Sequence, residues 1–187
     1  MKHLIITILS LIIVTGTAHA DMNVNEKIPH ELNLKDQKGE IQSFETLSGE
    51  QGMALFFIRS VNWCPYCQAQ LVDLNKRAKE FEQRGYNVVA LSYDPVGSLD
   101  RFTQQRSINF TLLSDTKSEA IKAFGLLNTD IREGSPHYGI PNPAIVIIGQ
   151  DKMVQTIHQE DGYKKRPDLD EILRTLVYID YERRQIK

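Results

Sequence analysis

The chain has 187 residues, a formal net charge of −2 and only two cysteines, Cys64 and Cys67. A charge so near neutral argues against a nucleic-acid partner. Two cysteines three residues apart do not make a disulfide-stapled scaffold, which carries several widely spaced cysteines. A closed zinc site needs four ligands, and no second cysteine or histidine pair lies at ligand spacing. We therefore expect neither a metal nor another cofactor.

The first 20 residues have the pattern of a secretory signal peptide. A polar start precedes a mainly apolar run over residues 4–14, and Ala18-His19-Ala20 ends the run with small residues. Cleavage is predicted before Asp21, which would leave no membrane anchor. The alternative is an uncleaved N-terminal anchor, although the apolar run is shorter than the ~20 residues that a membrane span needs. We expect a periplasmic or secreted protein with one domain over residues 21–187.

The N-terminal part of that domain predicts a β-hairpin followed by a buried strand. Residues 31–35 and 40–44 alternate polar and apolar side chains around a turn at residues 36–39. Residues 53–58 are continuously apolar, which is typical of a strand buried on both faces.

A strand–helix–strand unit follows. Apolar residues at helical spacing predict a helix over residues 64–84, which Gly85 ends. Residues 86–93 form a second buried strand. A crossover of this kind is right-handed, and its two strands are parallel.

The remaining pattern predicts two helices, two strand regions and a final helix. Ser98 is expected to cap a helix that runs to residue 106. Residues 110–113 form a short strand, residues 114–124 a helix, and residues 144–148 and 153–158 an antiparallel pair. Asp168 is expected to cap the last helix, whose inward-facing residues are Leu169, Ile172, Leu173, Leu176 and Val177. Together, these strands and helices predict an α/β fold with a central mixed sheet and helices on both faces.

The two cysteines lie where the first buried strand gives way to a helix, in the motif Trp63-Cys64-Pro65-Tyr66-Cys67. Unpaired amides and the helix dipole favour a thiolate at a helix N-terminus, so the pKa of Cys64 is expected to be low. Pro65 suits the first helical turn because it has no amide hydrogen. Cys67 lies one turn later on the same face, near enough to form a disulfide with Cys64.

These positions predict a redox-active pair. Cys64 would be the exposed, attacking sulfur and Cys67 the buried, resolving one. Trp63 and Tyr66 would offer a contact surface to a partner. The alternative is a structural disulfide or a pair of inert core thiols, but a disulfide that closes so small a loop adds little stability.

Four segments carry a resemblance to a known family. They are residues 60–67 with the cysteine motif, residues 91–95 (Leu-Ser-Tyr-Asp-Pro), residues 112–115 (Leu-Leu-Ser-Asp) and residues 142–148 (Asn-Pro-Ala-Ile-Val-Ile-Ile). Over roughly residues 26–180, the chain resembles thioredoxin-like proteins, and within them the redoxin, or AhpC/TSA, branch. The resemblance implies a thioredoxin-like fold, a redox-active Cys64–Cys67 pair and substrate contacts at Trp63, Pro65 and Tyr66.

The chain departs from the peroxiredoxin pattern at three positions. Peroxiredoxins carry Pro-x-x-x-Thr-x-x-Cys around the cysteine that attacks peroxide, whereas this chain has Phe57 and Val61 in place of the proline and threonine. They also carry an arginine before the last buried strand, where Pro143 lies here. The peroxide-binding groups are therefore missing, which favours disulfide exchange.

The thioredoxin pattern is matched at one position and broken at another. The resemblance implies that Pro143 is a cis-proline facing the disulfide and that the backbone of Asn142 pairs with substrate. Pro141 is a rival for the cis-proline, because residues 139–141 read Gly-Ile-Pro. The buried aspartate of thioredoxin, which helps to move the proton of the resolving thiol, is replaced by Ile58.

Three functions remain open at this point. The first is an exported thiol–disulfide oxidoreductase, whose partners are protein or small-molecule thiols and disulfides and an unidentified redox partner. The second is a thiol peroxidase in which Cys64 attacks hydroperoxide and Cys67 resolves the sulfenic acid. The third is a carrier that binds copper through the two thiolates. His137, in the loop before Pro143, either approaches this site or is a surface residue without a role.

Overall fold

The computed structural model describes residues 22–186, so the predicted signal peptide lies outside the described residues. The strands are β1 (Lys35–Asp36), β2 (Gly52–Phe57), β3 (Tyr86–Ser92), β4 (Thr111–Ser114), β5 (Ala144–Gly149) and β6 (Val154–Gln159). The helices are α1 (Phe44–Leu47), α2 (Pro65–Glu82), α3 (Val96–Arg106), α4 (Glu119–Ala123) and α5 (Leu169–Ile186). Over this part of the chain, no helix is long and apolar enough to cross a membrane.

The six strands form one mixed sheet in the order β1-β4-β3-β2-β5-β6. Strands β2, β3 and β4 run parallel, whereas β1, β5 and β6 pair antiparallel with their neighbours. The parallel register of β2 and β3 begins at Gly52 opposite Tyr86 and ends at Phe57 opposite Leu91. The predicted parallel unit and the mixed sheet are therefore confirmed.

Helices cover both faces of the sheet, as predicted. In β2, Ala54 and Phe56 belong to the apolar cluster that packs under α2, α3 and α5. The alternate residues Met53, Leu55 and Phe57 belong to the cluster under α1 and α4. All six residues of β2 are buried because the strand lies between two helical layers. The carboxyl end of this rigid strand leads directly into the cysteine motif.

The predicted turn of the N-terminal hairpin is confirmed. The strand that follows the turn is shorter than predicted. Asp36 accepts hydrogen bonds from the amides of Lys38 and Glu40 at 2.8 and 3.0 Å, and Gly39 has a φ of 85°. The amide of Asp36 in turn donates to the carbonyl oxygen of Glu40 at 2.9 Å. The expected strand over residues 40–44 ends early because Ser43 starts helix α1.

Ser43 makes a capping box with Thr46. Its hydroxyl accepts from the amide of Thr46 at 3.4 Å, and its own amide donates to the hydroxyl of Thr46 at 2.9 Å. Replacing Ser43 with alanine is expected to lower the free energy of unfolding by about 1 kcal/mol, measured by urea titration. Ser48 is the matched control because its buried hydroxyl has no hydrogen-bond partner. An equal loss in both variants would contradict the capping role.

Two helix starts differ from the predictions. Ser98 does not cap α3, which begins after Pro95 without a side-chain cap. The Ser98 hydroxyl instead accepts from the side-chain amide of Asn62 at 2.9 Å. The helix expected over residues 114–124 begins only at Glu119, because the carboxylate of Asp115 accepts from the amides of Glu119 and Ile121.

The last helix matches its prediction except at one residue. Asp168 precedes α5 and accepts from the amide of Asp170 at 2.9 Å, as a capping residue does. Leu169, Ile172, Leu173 and Leu176 are buried, but Val177 is 55% exposed. The prediction that Val177 faces inward is wrong, because the next residue along a helix lies about 100° away from Leu176.

Candidate active site

Cys64 and Cys67 form a disulfide at the N-terminus of α2. Their Cα atoms are 5.3 Å apart. Cys64 is the N-cap residue, Pro65 occupies the first turn, and the amide of Cys67 donates to Cys64 Sγ at 3.3 Å. The predicted pairing and the predicted helix start are therefore confirmed. An amide that donates to the Cys64 sulfur also stabilises a thiolate there after reduction.

Both cysteines are buried in the oxidised protein. Cys67 is fully buried, and Cys64 is only 2% exposed, so the expectation of an exposed Cys64 is wrong for the disulfide form. The reason is a side chain from a distant part of the chain. Nη2 of Arg166 lies 3.3 Å from Cys67 Sγ and 4.0 Å from Cys64 Sγ, so its guanidinium packs against the disulfide.

Arg166 reaches the site from the segment between β6 and α5. It lies 99 residues after Cys67 in the chain, among the polar residues 160–168, and sequence reasoning missed it. No spacing or motif links it to the cysteines, so only the fold reveals it. Burial lowers the pKa of Arg166, and the nearby cation Arg59 lowers it further.

Arg59 fastens this segment to the cysteine motif through aromatic rings. Its guanidinium lies 4.3 Å from the ring centroid of Tyr163 and 5.1 Å from that of Trp63. Tyr163 also meets the ring of Tyr66 edge-on, with centroids 6.1 Å apart. Burial lowers the pKa of Arg59. Because β2 ends at Phe57, the alternation of strand side chains does not apply to Arg59, whose guanidinium turns toward the motif.

Trp63 is half-buried and is fixed from two sides. Its indole Nε1 donates to the hydroxyl of Tyr93 at 2.9 Å. The His137 ring lies 4.5 Å from the Trp63 ring, so the loop histidine approaches the active site through the indole. Trp63 is the only tryptophan of the chain, and its fluorescence therefore reports on this site alone.

Replacing Tyr163 with alanine is expected to loosen this segment. The variant loses the contacts of the ring with Arg59 and Tyr66, and we expect the free energy of unfolding to fall by about 1 kcal/mol. Urea titration of the oxidised protein measures the loss. Tyr163→Phe keeps the ring and should match the wild type. A phenylalanine variant as unstable as the alanine variant would contradict the stacking role.

A buried carboxylate shapes the loop that leads into the motif. Asp94 accepts hydrogen bonds from the hydroxyls of Ser60 and Ser92, both at 2.8 Å, from the amide of Val61 at 2.7 Å and from the side chain of Asn62 at 3.3 Å. Burial raises the pKa of Asp94, whereas these hydrogen bonds lower it. This network holds the backbone of residues 60–62 immediately before the disulfide.

Three of the positions that depart from the peroxiredoxin and thioredoxin patterns are buried and apolar. Phe57 packs on Phe124 with ring centroids 5.0 Å apart. Val61 and Ile58 belong to the same apolar cluster as the two cysteines. These three positions supply neither a hydroxyl nor a carboxylate to the site.

The expected cis-proline is absent from the described residues. Every peptide bond there is trans, so the prediction is wrong for both Pro143 and Pro141. Pro141 is buried and forms an isolated bridge with Leu127, and the amide of Asn142 donates to the carbonyl oxygen of Leu126 at 2.7 Å. This pairing organises the chain before β5 differently from the thioredoxin pattern that suggested Pro143, and it occupies the Asn142 N–H that was expected to meet substrate.

Within residues 22–186, no group of three or more histidine, cysteine, aspartate or glutamate side chains could hold a metal ion. The copper-carrier hypothesis therefore has the two cysteine sulfurs as its only candidate ligands in this part of the chain.

Sequence comparisons point to a single family. The sequence model of the AhpC/TSA family matches residues 24–157. Peroxiredoxin Bcp of Escherichia coli strain K12 is 27% identical over 149 residues, which are 80% of this chain and 92% of that protein. The 1-Cys peroxiredoxin PER1 of Zea mays is 24% identical over 170 residues and is aligned over 83% of this chain and 72% of its own length.

Structural comparisons agree on the fold. The peroxidoxin BcpB of Mycobacterium tuberculosis superposes with a TM-score of 0.72 at 24% identity, covering 84% of this chain and 98% of that one. The PrxQ of Xylella fastidiosa also gives a TM-score of 0.72, at 21% identity, covering 86% of this chain and 99% of that one. These likenesses confirm the predicted thioredoxin-like α/β fold.

Proposed function

This chain belongs to the AhpC/TSA family, and we propose that it is a thiol–disulfide oxidoreductase that cycles Cys64 and Cys67 between dithiol and disulfide. A thiol-based redox role is common to the family. The observation that carries the finer proposal is the disulfide itself, which joins two residues in one helical turn beside a guanidinium. Forming and breaking this bond requires no rearrangement of α2.

The exchange begins with the Cys64 sulfur. In the reduced protein, the Cys64 thiolate attacks a partner disulfide and forms a mixed disulfide, and the first partner sulfur leaves as a thiolate. Cys67 then attacks Cys64 Sγ, closes the intramolecular disulfide and releases the second partner sulfur. Two electrons pass from the protein to the partner, and the reverse sequence recharges the protein. The Cys67 amide, 3.3 Å from Cys64 Sγ, is placed to stabilise the attacking thiolate.

We assign the contact with the partner to the exposed rim of the motif. Pro65 and Tyr66 are exposed and Trp63 is half-exposed, so these side chains form an apolar edge next to the disulfide. Asn142 is also exposed, and its carbonyl oxygen is the backbone group that we assign to the partner. Pro143 is half-buried and has no role in this proposal.

Hydroperoxide reduction is the second candidate, and Arg166 is the observation that favours it. The expected peroxiredoxin arginine is missing at Pro143, but the guanidinium of Arg166 reaches Cys64 Sγ from another segment at 4.0 Å. The peroxide site remains incomplete, because Val61 stands at the threonine position and has no hydroxyl. In this reaction Cys64 takes one oxygen from the peroxide, and Cys67 displaces water from the sulfenic acid to form the same disulfide.

Stopped-flow fluorescence of Trp63 separates the two functions. The reduced protein is mixed in parallel with oxidised glutathione, with a disulfide-bonded protein such as insulin, and with hydrogen peroxide. We expect rapid formation of the Cys64–Cys67 disulfide with the disulfide substrates and peroxide oxidation no faster than that of free cysteine. Fast, saturable oxidation by peroxide together with inert disulfide substrates would overturn the proposal in favour of the peroxidase.

We also propose that the protein works outside the cytoplasm, in a compartment that permits disulfide bonds. The pattern of residues 1–20 supports this location. Mass spectrometry of the protein purified from its native cells tests it, and we expect a mature chain that begins at Asp21 in the periplasmic or secreted fraction. A full-length chain in the cytoplasmic fraction would contradict this location without affecting the proposed chemistry.

A further inference from the structure

Three neutral acceptors hold two of the three nitrogens of the Arg166 guanidinium. Nε donates to the side-chain oxygen of Gln70 at 2.8 Å, and Nη1 donates to the carbonyl oxygens of Tyr163 at 2.5 Å and Lys165 at 2.7 Å. These bonds orient the planar guanidinium, which has five N–H donors in a fixed arrangement. The remaining nitrogen, Nη2, is thereby directed at the disulfide.

The contact with the disulfide is closer to the resolving sulfur. Nη2 lies 3.3 Å from Cys67 Sγ and 4.0 Å from Cys64 Sγ. A disulfide sulfur is a weak, uncharged acceptor, whereas a thiolate carries a full negative charge. The same geometry therefore gives a stronger interaction once the bond is reduced, because the acceptor then carries a full negative charge opposite the guanidinium.

Arg166 has no carboxylate partner in the part of the chain that the structure describes. Among residues 22–186, neither Arg166 nor Arg59 forms a salt bridge with a carboxylate. Burial lowers the pKa of Arg166, and the charge of Arg59 acts in the same direction. In the oxidised protein, two neighbouring cations are therefore partly desolvated without a carboxylate partner among the described residues. Such an arrangement is costly, and a thiolate on Cys67, whose sulfur lies 3.3 Å from Nη2 of Arg166, relieves part of the cost.

The other ionisable groups described at this face contact one another or Trp63. Tyr163 contacts Arg59, Tyr66 contacts Tyr163, and His137 and Tyr93 contact Trp63. No carboxylate stands where the thioredoxin pattern has its buried aspartate, since that position is Ile58. The resolving thiol thus meets a cation in place of a proton acceptor.

We propose that Arg166 is a catalytic residue that stabilises the thiolate of Cys67 and so makes the Cys64–Cys67 disulfide easier to reduce. The inference rests on the proposed function, because it concerns thiol–disulfide exchange at the same site. In this site, the guanidinium of Arg166 takes the role that the buried aspartate has in thioredoxin, but it acts in a different way. The cation lowers the free energy of the ionised resolving sulfur, and no side chain has to accept its proton.

The reductive step shows where the charge goes. An external thiolate attacks Cys64 Sγ and forms a mixed disulfide, and the bond to Cys67 breaks with its electron pair on Cys67, which becomes a thiolate beside Arg166. A second external thiolate attacks the external sulfur of the mixed disulfide and releases Cys64 as a thiolate. Two external thiolates become one disulfide, and the protein gains two electrons.

Arg166→Gln tests the proposal in the purified protein. Trp63 fluorescence gives the equilibrium constant with reduced and oxidised glutathione, and the ultraviolet absorbance of the thiolate gives the pH at which the reduced cysteines ionise. We expect the variant disulfide to be at least tenfold harder to reduce, which is a potential about 30 mV lower. Its thiolate should form at a higher pH than in the wild type. Arg166→Lys, which keeps the charge, should retain part of both effects.

Lys165→Gln is the matched control because it removes one positive charge from the neighbouring, exposed position. It should leave the equilibrium constant with glutathione and the ionisation constant of the reduced cysteines within twofold of their wild-type values. Arg166→Met serves in place of Arg166→Gln if the latter fails to fold. An unchanged equilibrium constant and an unchanged thiolate titration in a folded, charge-free variant would overturn the inference. Failure of the wild type to exchange with disulfide substrates would instead overturn the proposed function, since the thiolate titration needs no substrate.

Discussion

Replacing Cys64 with serine is expected to abolish disulfide exchange, lowering the rate on the order of 10³-fold or more. Cys64 is the N-cap residue of α2, and its sulfur accepts a hydrogen bond from the amide of Cys67. Cys67 is fully buried. A serine hydroxyl forms no disulfide, so the variant lacks the sulfur that attacks the partner. The reduction of insulin, followed by its precipitation, measures the loss.

Replacing Cys67 with serine is expected to give a different result. Cys64 still attacks a partner disulfide, but no resolving sulfur follows, so the mixed disulfide accumulates. Non-reducing electrophoresis detects the mixed disulfide as a covalent complex that a reductant separates into its two proteins. Lys76→Ala, on the exposed side of the same helix, should behave as the wild type. A Cys67→Ser variant that turns over normally, or a Cys64→Ser variant that accumulates the complex, would reverse the two roles.

The parts of the fold that the sequence predicts are those in which neighbouring residues carry the signal. The apolar runs within β2, β3 and β5 were sufficient to place the centre of the sheet, because a strand covered on both faces is mostly apolar. The cysteine spacing likewise placed the disulfide and the start of α2. Both signals lie within a few consecutive residues.

The parts that the sequence does not predict depend on contacts between distant segments. Arg166 lies in a polar segment whose composition is typical of a solvated loop, and its approach to Cys67 depends on where α5 docks. Arg59 reaches the motif because β2 ends at Phe57, one residue before the end of the predicted strand. The cis-proline was transferred from another family's register, whereas here the chain around Pro141 pairs with Leu127.

Replacing Asp94 with alanine is expected to lower the free energy of unfolding by about 3 kcal/mol. The alanine leaves the hydroxyls of Ser60 and Ser92 and the amide of Val61 without their buried acceptor. Because these groups hold the loop before Cys64, we also expect slower disulfide exchange. Urea unfolding of the oxidised protein measures the stability. Asp73→Ala, at an exposed carboxylate on α2, should change it by no more than about 0.5 kcal/mol.

The pH dependence of the free energy of unfolding separates the contribution of the Asp94 hydrogen bonds from that of its charge. Since burial raises the pKa of Asp94 above its value in the unfolded chain, the native state binds the proton more tightly. The ionised carboxylate therefore costs stability, and the cost grows as the pH rises from about 4 through the folded pKa. Asp94→Asn keeps one acceptor and carries no charge, so it should lose less stability than the alanine variant. The stability of the wild type relative to Asp94→Asn should fall as the pH rises over this range. A relative stability that rises instead would mean that the hydrogen bonds outweigh the burial of the charge, and that the folded pKa is lowered.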